Sequence, residues 1–233
     1  MKICLISAST KHIQWEGYGH PDWFDVTRPN HKAYADKWGW DYISLMIDNQ
    51  AIQHYHPTWL KIRELRRALD INEWDWVVWI DADACIVNDE VDFTQWFTAV
   101  EGKQWDVVLP KMQPDPKHGK CWTKLSTGIM AVRNTEYSKL LLERMWNNPA
   151  DFQHGGFHEQ SWLDEHFSGN MSRCPNLHNS ELEDIHAPMA LGKLLAIPYK
   201  WHLTTLDNDI PFVYHAGGNT PTKTKRIKQA LCI

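Results

Sequence analysis

The sequence predicts an α/β fold with a mostly parallel central sheet flanked by helices. Three observations carry that expectation. Trp76-Val77-Val78-Trp79-Ile80 is an uninterrupted apolar run, too short for a helix core and suited to a strand buried on both faces. Before it, strand-like and helix-like patterns alternate as βαβαβ, which implies parallel strands joined by right-handed crossovers. The run ends abruptly in Asp81-Ala82-Asp83, at the carboxyl end of its strand, the edge at which open α/β sheets bind ligands. A chain of 233 residues is long enough for a sizeable core. No repeat, low-complexity tract or linker divides it, so residues 1–233 read as a single domain.

In chain order, Lys2 to Ser7 reads as the first strand. Ser7-Ala8-Ser9-Thr10 is its small-residue exit, either a polar turn or a place where a ligand approaches the backbone. Lys11 to Phe24 has aromatics and glycines without a period and reads as a loop. Thr27-Arg28-Pro29 opens a helix, with Pro29 suited to its first turn; the helix runs to about Trp38 and stops at Gly39. Asp41 to Met46 is the second strand. Pro57-Thr58 starts a helix over Trp59 to Leu69, with Trp59, Ile62, Leu65 and Leu69 on one face. Its charges form a solvated face, except that Lys61, near the N-terminus, can reach a bound anion. The third strand spans Trp76 to Asp83. Val91 to Thr98 is a short helix and Asp106 to Pro110 a strand. Lys111 to Lys120, with its prolines and glycine, reads as a mobile loop over the site. Ser126-Thr127-Gly128 turns into a strand over Ile129 to Val132. Helices over Thr135–Asn147 and Glu159–Phe167, short strands over Leu194–Pro198 and Pro211–Tyr214, and a basic helix or tail over Thr220–Ile233 complete the chain.

Composition excludes several classes. Net charge is -5 and no long basic run exists, which argues against nucleic acid and anionic membranes as partners. The N-terminal apolar run is too short for a signal peptide, and no stretch nears the roughly 18 apolar residues of a membrane span. The five cysteines are scattered without a C-x-x-C pair and read as reduced thiols, not a disulfide frame or zinc site. The 14 tryptophans suit sugar rings, but most are assigned to core packing and surface anchoring.

Paired carboxylates at the end of a buried strand are costly unless something cationic sits there. Side chains alternate along a strand, so Asp81 and Asp83 can point the same way while Ala82 points away. A divalent metal held by oxygen ligands and facing a phosphorylated substrate explains the pair. The competing explanation is that one aspartate caps a turn or helix. A second cluster, Phe212-Val213-Tyr214-His215-Ala216-Gly217-Gly218, ends a short strand in a histidine, with Lys223 beyond. Imidazole can be a third metal ligand, glycines allow close backbone approach, and lysine can neutralise phosphate. Taken alone, His215 reads as a structural histidine; the aspartate pair in the same chain favours the ligand. In a third cluster, His158-Glu159-Gln160, an acid at a helix start is favoured by the dipole even without function. Alternatively, Glu159 and Gln160 bind sugar hydroxyls or face a reacting carbon.

The order of these motifs resembles a known pattern. Asn30-His31-Lys32-Ala33-Tyr34-Ala35, Trp59-Leu60-Lys61-Ile62, Trp79-Ile80-Asp81-Ala82-Asp83, the run Ser126 to Asn134, Glu159-Gln160 and Val213-Tyr214-His215-Ala216-Gly217 recur in the order of glycosyltransferase family 34. These are the GT-A-fold galactosyl-, mannosyl- and xylosyltransferases. The resemblance implies a GT-A (Rossmann-like) fold with a DxD motif. It also implies a nucleotide-sugar donor, a UDP-sugar in the first place, Mn2+ (or Mg2+), and a glycan or glycoside acceptor. By position, Asp81, Asp83 and His215 would hold the metal. Ser7, Lys61, Ala82, Gly217 and Lys223 would lie around the nucleotide and its phosphates. Ser126 to Gly128 and Glu159-Gln160 would face the sugars, the last two as candidate catalytic residues. Two departures stand out: Ser126 replaces the family's asparagine, and Lys223 stands farther beyond His215 than the pattern places its lysine. The membrane anchor and stem of eukaryotic members are missing from the sequence, which implies a cytoplasmic enzyme of bacterial or viral type. The family usually retains anomeric configuration; Glu159 as general base would instead give inversion. The rival functions are a sugar-phosphate nucleotidyltransferase, for which Ser7-Ala8-Ser9-Thr10-Lys11 is a poor phosphate loop, and a non-catalytic sugar-binding protein.

Overall fold

The computed structural model describes residues 1–10, 23–48, 55–97, 105–112, 125–148, 158–168, 193–197, 202–203, 212–216 and 220–232. The first strand, β1 (Ile3–Thr10), is buried along its whole length. It pairs in parallel with β2 (Asp41–Ile47) on one side and β3 (Trp76–Ile80) on the other. The two crossovers therefore run in opposite directions and place their helices on opposite faces. α1 (Trp23–Trp38) packs with Ile3, Leu5, Trp76, Val78 and Ile80. α2 (Leu60–Ile71) packs with Cys4, Ile6, Val77 and Trp79. Burial on both faces is why β3 shows no polar alternation.

The short β4 (Ala84–Ile86) follows β3; β5 (Val107–Pro110) and β6 (Ile129–Arg133) come next. α3 (Glu136–Asn147) covers the α2 face, capped by the Thr135 hydroxyl, which accepts from the Ser138 N–H. After α4 (His158–Ser168) come β7 (Leu194–Ile197), β8 (His202–Leu203), β9 (Val213–His215) and α5 (Thr220–Ala230). The main sheet has the order β2-β1-β3-β6-β5-β7, and a three-stranded sheet has the order β4-β9-β8. In the main sheet β6 alone runs against the rest, antiparallel to both β3 and β5. That reversal lays the start of β6 beside the carboxyl end of β3.

Several elements differ from expectation. β1 continues through Thr10, so Ser7-Ala8-Ser9-Thr10 is strand held by pairing with β2, not a turn after it. The helix expected from Val91 is a 3-10 turn, Phe93–Trp96, capped by Asp92. α1 begins at Trp23, so Pro29 lies inside the helix, not in its first turn. Trp23 and Phe24 are buried against Cys85, Tyr214, Ala216 and Ile227, and that packing outweighs the roughly 3 kcal/mol cost of an interior proline. The helix expected from Pro57 starts as a 3-10 turn, Pro57–Trp59, and becomes α-helical at Leu60. Asn72, left-handed at φ 59°, ends it. The span Lys111 to Lys120 lies outside the described residues apart from Lys111 and Met112. Among the described cysteines, Cys4 and Cys85 are buried and free and Cys232 is exposed and free. Among the described residues, no helix is long and apolar enough to cross a membrane.

Candidate active site

β3 stops at Ile80, and Asp81-Ala82-Asp83 forms a turn, not the continuing strand expected. The Ala84 N–H donates back to the Asp81 carbonyl at 3.0 Å. The Asp81 N–H donates to the Gly128 carbonyl at 2.9 Å, and the Ala216 N–H to the Asp83 carbonyl at 3.0 Å. The two carboxylates therefore converge through a turn held by its neighbours, and not through strand alternation. The turn feeds β4, which pairs antiparallel with β9 and sets Ala84 opposite His215.

Asp81, Asp83 and His215 each present a ligand atom within 4.8 Å of the others. Two carboxylate oxygens and an imidazole nitrogen are a donor set that fits a small divalent ion such as Mn2+ or Mg2+. His215 Nε2 lies 3.0 Å from Asp83 Oδ1 and 3.8 Å from Asp81 Oδ2. Lys223 donates to Asp83 Oδ2 and lies over the Trp23 ring, 5.3 Å from its centroid. Its extra distance along the sequence is taken up by the first turn of α5, so it reaches the aspartate despite the departure from the family spacing.

Behind Asp81 lies a buried ionic cluster. Lys61, 2% exposed, sits 3.0 Å from Asp81 Oδ1 and 2.9 Å from Glu159 Oε1. It also donates to the Thr127 carbonyl and hydroxyl, each at 3.1 Å. The Thr127 hydroxyl donates to Glu159 Oε1 at 2.8 Å, and the Thr127 N–H to Gln160 Oε1 at 3.1 Å. Trp79 Nε1 donates to Asp81 Oδ1 at 2.6 Å. Glu159 Oε2 is buried without a hydrogen-bond partner among the described residues.

Burial opposes ionisation of Asp83, Glu159, Lys61 and His215, and their neighbours overrule it. Burial pushes the Asp83 carboxyl up, but His215 and Lys223 hold it far below the usual carboxylate range. Burial pushes Glu159 up, and Lys61 brings it below its ordinary value. Burial pushes Lys61 down, and Asp81 and Glu159 raise it well above the usual lysine range. His215 is likewise raised: burial works against the imidazolium, and Asp83, then Asp81, stabilise it.

These side chains line a cleft of about 440 Å³ at the carboxyl edge of β1 and β3. It brings together Lys61, Asp81, Ala82, Asp83, Glu159, Gln160, His215 and Lys223 from the sequence-predicted set. Ser7 stands apart: it is fully buried, its hydroxyl 3.0 Å from Tyr42 Oη, and Ala8, Ser9 and Thr10 supply that wall. Ser126 is buried behind the lining, its hydroxyl accepting from the Gly128 N–H at 3.5 Å. Gly217 lies outside the described residues.

The sequence reading passed over His56, and it named Thr10 only as part of the small-residue exit of the first strand. His56 lines the cleft and its ring stacks on His158 at 3.7 Å. Burial, then the nearby His158, pushes His56 down to about 4, so it faces the cleft uncharged at neutral pH. Its place before Pro57-Thr58, capping the Thr58 N–H, was the available signal. His158 has a φ of 33°, a strained value for a non-glycine residue, directly before Glu159. Thr10 Oγ1 is buried without a hydrogen-bond partner among the described residues, on the cleft wall.

His31 supplies a pH test of the scaffold behind the turn. It is fully buried in α1, with Nε2 donating to the Ala84 carbonyl at 2.8 Å. Burial pushes its imidazole from 6.5 down to about 4, against the pull of that hydrogen bond. Between those values the unfolded chain binds the proton and the folded chain does not, so acid favours unfolding. Stability from this group is whole above pH 6.5 and is lost as pH falls through 4, by roughly 3 kcal/mol in all. Urea midpoints at pH 7 and pH 5 should show the drop in the wild type and a smaller one in His31→Gln. Equal drops in the two proteins would contradict it.

No protein-family model matches the chain. In sequence it is similar to an uncharacterized alpha-1,2-galactosyltransferase of Schizosaccharomyces pombe, 25% identical over 159 residues, or 58% of this chain and 42% of that protein. The match thus takes in less than half of the yeast protein. In structure the chain is similar to a glycosyltransferase involved in glycosylation of the major capsid of PBCV-1. There the TM-score is 0.64 at 13% identity, covering 98% of this chain and 100% of the other. It is also similar to the bifunctional glycosyltransferase WbbM, with a TM-score of 0.50 at 11% identity over 99% of this chain and 49% of that one. The fold is GT-A, with Asp81-Ala82-Asp83 at the position of its DxD motif.

Proposed function

We propose that the chain is a glycosyltransferase that moves a sugar from a UDP-sugar to a glycan or glycoside hydroxyl with the help of Mn2+ or Mg2+. The observation that carries this reading is the convergence of Asp81, Asp83 and His215 with two lysines in one cleft at the ligand-binding edge of a GT-A sheet. The yeast relative makes galactose the first donor sugar to test.

A bound divalent ion would supply Lewis-acid stabilisation for the diphosphate leaving group, held by Asp81, Asp83 and His215. Lys223, on the same edge, gives the diphosphate an ammonium partner as its charge grows. Lys61 acts from behind: it pairs with Asp81 and with Glu159, fixing both, and holds Glu159 ionised. The Ser9 and Thr10 hydroxyls offer polar contacts for the nucleoside end of the donor. Glu159 and Gln160, pinned by Thr127, face the sugar.

The state of Glu159 bears on stereochemistry. A carboxylate held below its ordinary range is a weak general base. This supports the retaining reading, in which Glu159 and Gln160 stabilise positive charge on the sugar and the acceptor hydroxyl attacks from the leaving-group face. Incubation with Mn2+ and a panel of nucleotide-sugars tests the reading: slow release of UDP marks a transferase. Pyrophosphate formed from UTP and a sugar phosphate would instead mark a nucleotidyltransferase. Glycan binding with neither product would mark a sugar-binding protein. UDP binding followed by calorimetry should be lost on adding a chelator; an unchanged affinity would remove the metal from the reading.

A further inference from the structure

Among the described residues, β4 has a strand partner on one side only. Asp83 and Val87 direct backbone groups toward the β9 side, to Ala216 and Phe212, whereas Ala84 and Ile86 point to the opposite edge, where no strand of the described residues pairs. Side chains of α1 fill that edge. Thr27, Asn30 and His31 lie three and four residues apart and so share one helix face. The Thr27 hydroxyl donates to the Ala82 carbonyl at 2.7 Å, and His31 Nε2 to the Ala84 carbonyl at 2.8 Å. Asn30 donates to the Ile86 carbonyl at 2.9 Å and accepts from the Ile86 N–H at 2.8 Å. Every second residue from the turn through β4 is thus held by α1, as a paired strand would hold it.

The chemistry of the bonds is specific. A carbonyl partner requires the His31 proton to be on Nε2, which leaves Nδ1 buried and without a hydrogen-bond partner among the described residues. Thr27 and His31 are fully buried, and none of the three lines the cleft. Their shared target is the backbone that carries both aspartates.

We infer that Thr27, Asn30 and His31 are positioning residues for the metal group: acting through the carbonyls of Ala82, Ala84 and Ile86, they set where Asp81 and Asp83 stand relative to His215. The inference rests on the metal reading proposed above. Partners one layer behind metal ligands typically change affinity 10- to 100-fold when removed.

The test titrates Mn2+ alone into the full chain, followed by electron paramagnetic resonance, with circular dichroism and melting recorded on the same samples. Thr27→Val removes one hydroxyl and keeps the shape, and His31→Phe removes the ring donor and keeps the volume. Both should bind Mn2+ about tenfold or more weakly while folded. His31→Gln, whose amide nitrogen reaches the same carbonyl, should recover most of the affinity. Affinity equal to wild type in folded Thr27→Val and His31→Phe would overturn the inference, whatever their melting temperatures. If His31→Phe does not fold, Thr27→Val decides. Failure of the wild type itself to bind Mn2+ would overturn the metal reading, a result distinct from variants that match a binding wild type.

Discussion

Asp83→Ala is expected to abolish sugar transfer while the chain stays folded. Asp83 meets both His215 and Lys223, so its removal takes away a candidate metal ligand and the carboxylate that Lys223 pairs with. Loss of such an electrostatic stabiliser costs roughly 10²–10³ in rate. An aspartate that only capped a turn would cost about 1 kcal/mol of stability and no activity. The two roles therefore separate by magnitude in a UDP-release assay run beside a denaturation curve. His215→Ala should come close to the same loss. Near-normal turnover in His215→Ala with a dead Asp83→Ala would mean that the metal group is built differently; full activity in both would remove the transferase reading.

Lys61→Met is expected to give the largest loss of stability. The ammonium group is buried between Asp81 and Glu159, and Glu159 is only 3% exposed. Breaking a buried ion pair by removing one partner typically costs 3–5 kcal/mol, about the scale expected here, because the remaining charge is left uncompensated. Adding Glu159→Gln to Lys61→Met should restore part of the loss, since the second change removes an orphaned carboxylate. Urea unfolding of the wild type, the two single variants and the double variant measures this coupling. A Lys61→Met protein within about 1 kcal/mol of wild type would show that Lys61 is not the neutralising centre of the cluster.

What the sequence revealed and what it hid divide along physical lines. Trp76 to Ile80 was legible because a strand buried on both faces has no polar residue to interrupt it. The direction of Ile129 to Arg133 was not, since an apolar run reads the same in a parallel or antiparallel neighbour; only pairing with β3 fixes it. The bend at Asp81 was hidden for a related reason. Gly128, Ala216 and the side chains of α1 impose it, and all are remote in sequence. Trp23 and Phe24 looked like loop because their helical state comes from packing against Cys85 and Ile227. Lys61 was picked out by its place near a helix start, yet its partners, Asp81 and Glu159, could be known only from the fold. Ser7 was read at the right strand end, but the cleft wall is formed one to three residues later.

The pairing of β4 with β9 has a consequence for how the chain matures. Asp83 and His215 are separated by 132 residues, so the metal group belongs to the slow, long-range part of folding. At translation rates of about 5–20 residues per second, the aspartates emerge on the order of ten seconds before the histidine. β1, β2 and β3 can assemble in that interval, while β4 still lacks its partner β9 and presents a bare edge beside Asp81 and Asp83. The group closes when the last strand docks, and α5 brings Lys223 in behind it. Acquisition of metal affinity during refolding would therefore report closure of this 132-residue separation, later than the burial of tryptophan in the central sheet.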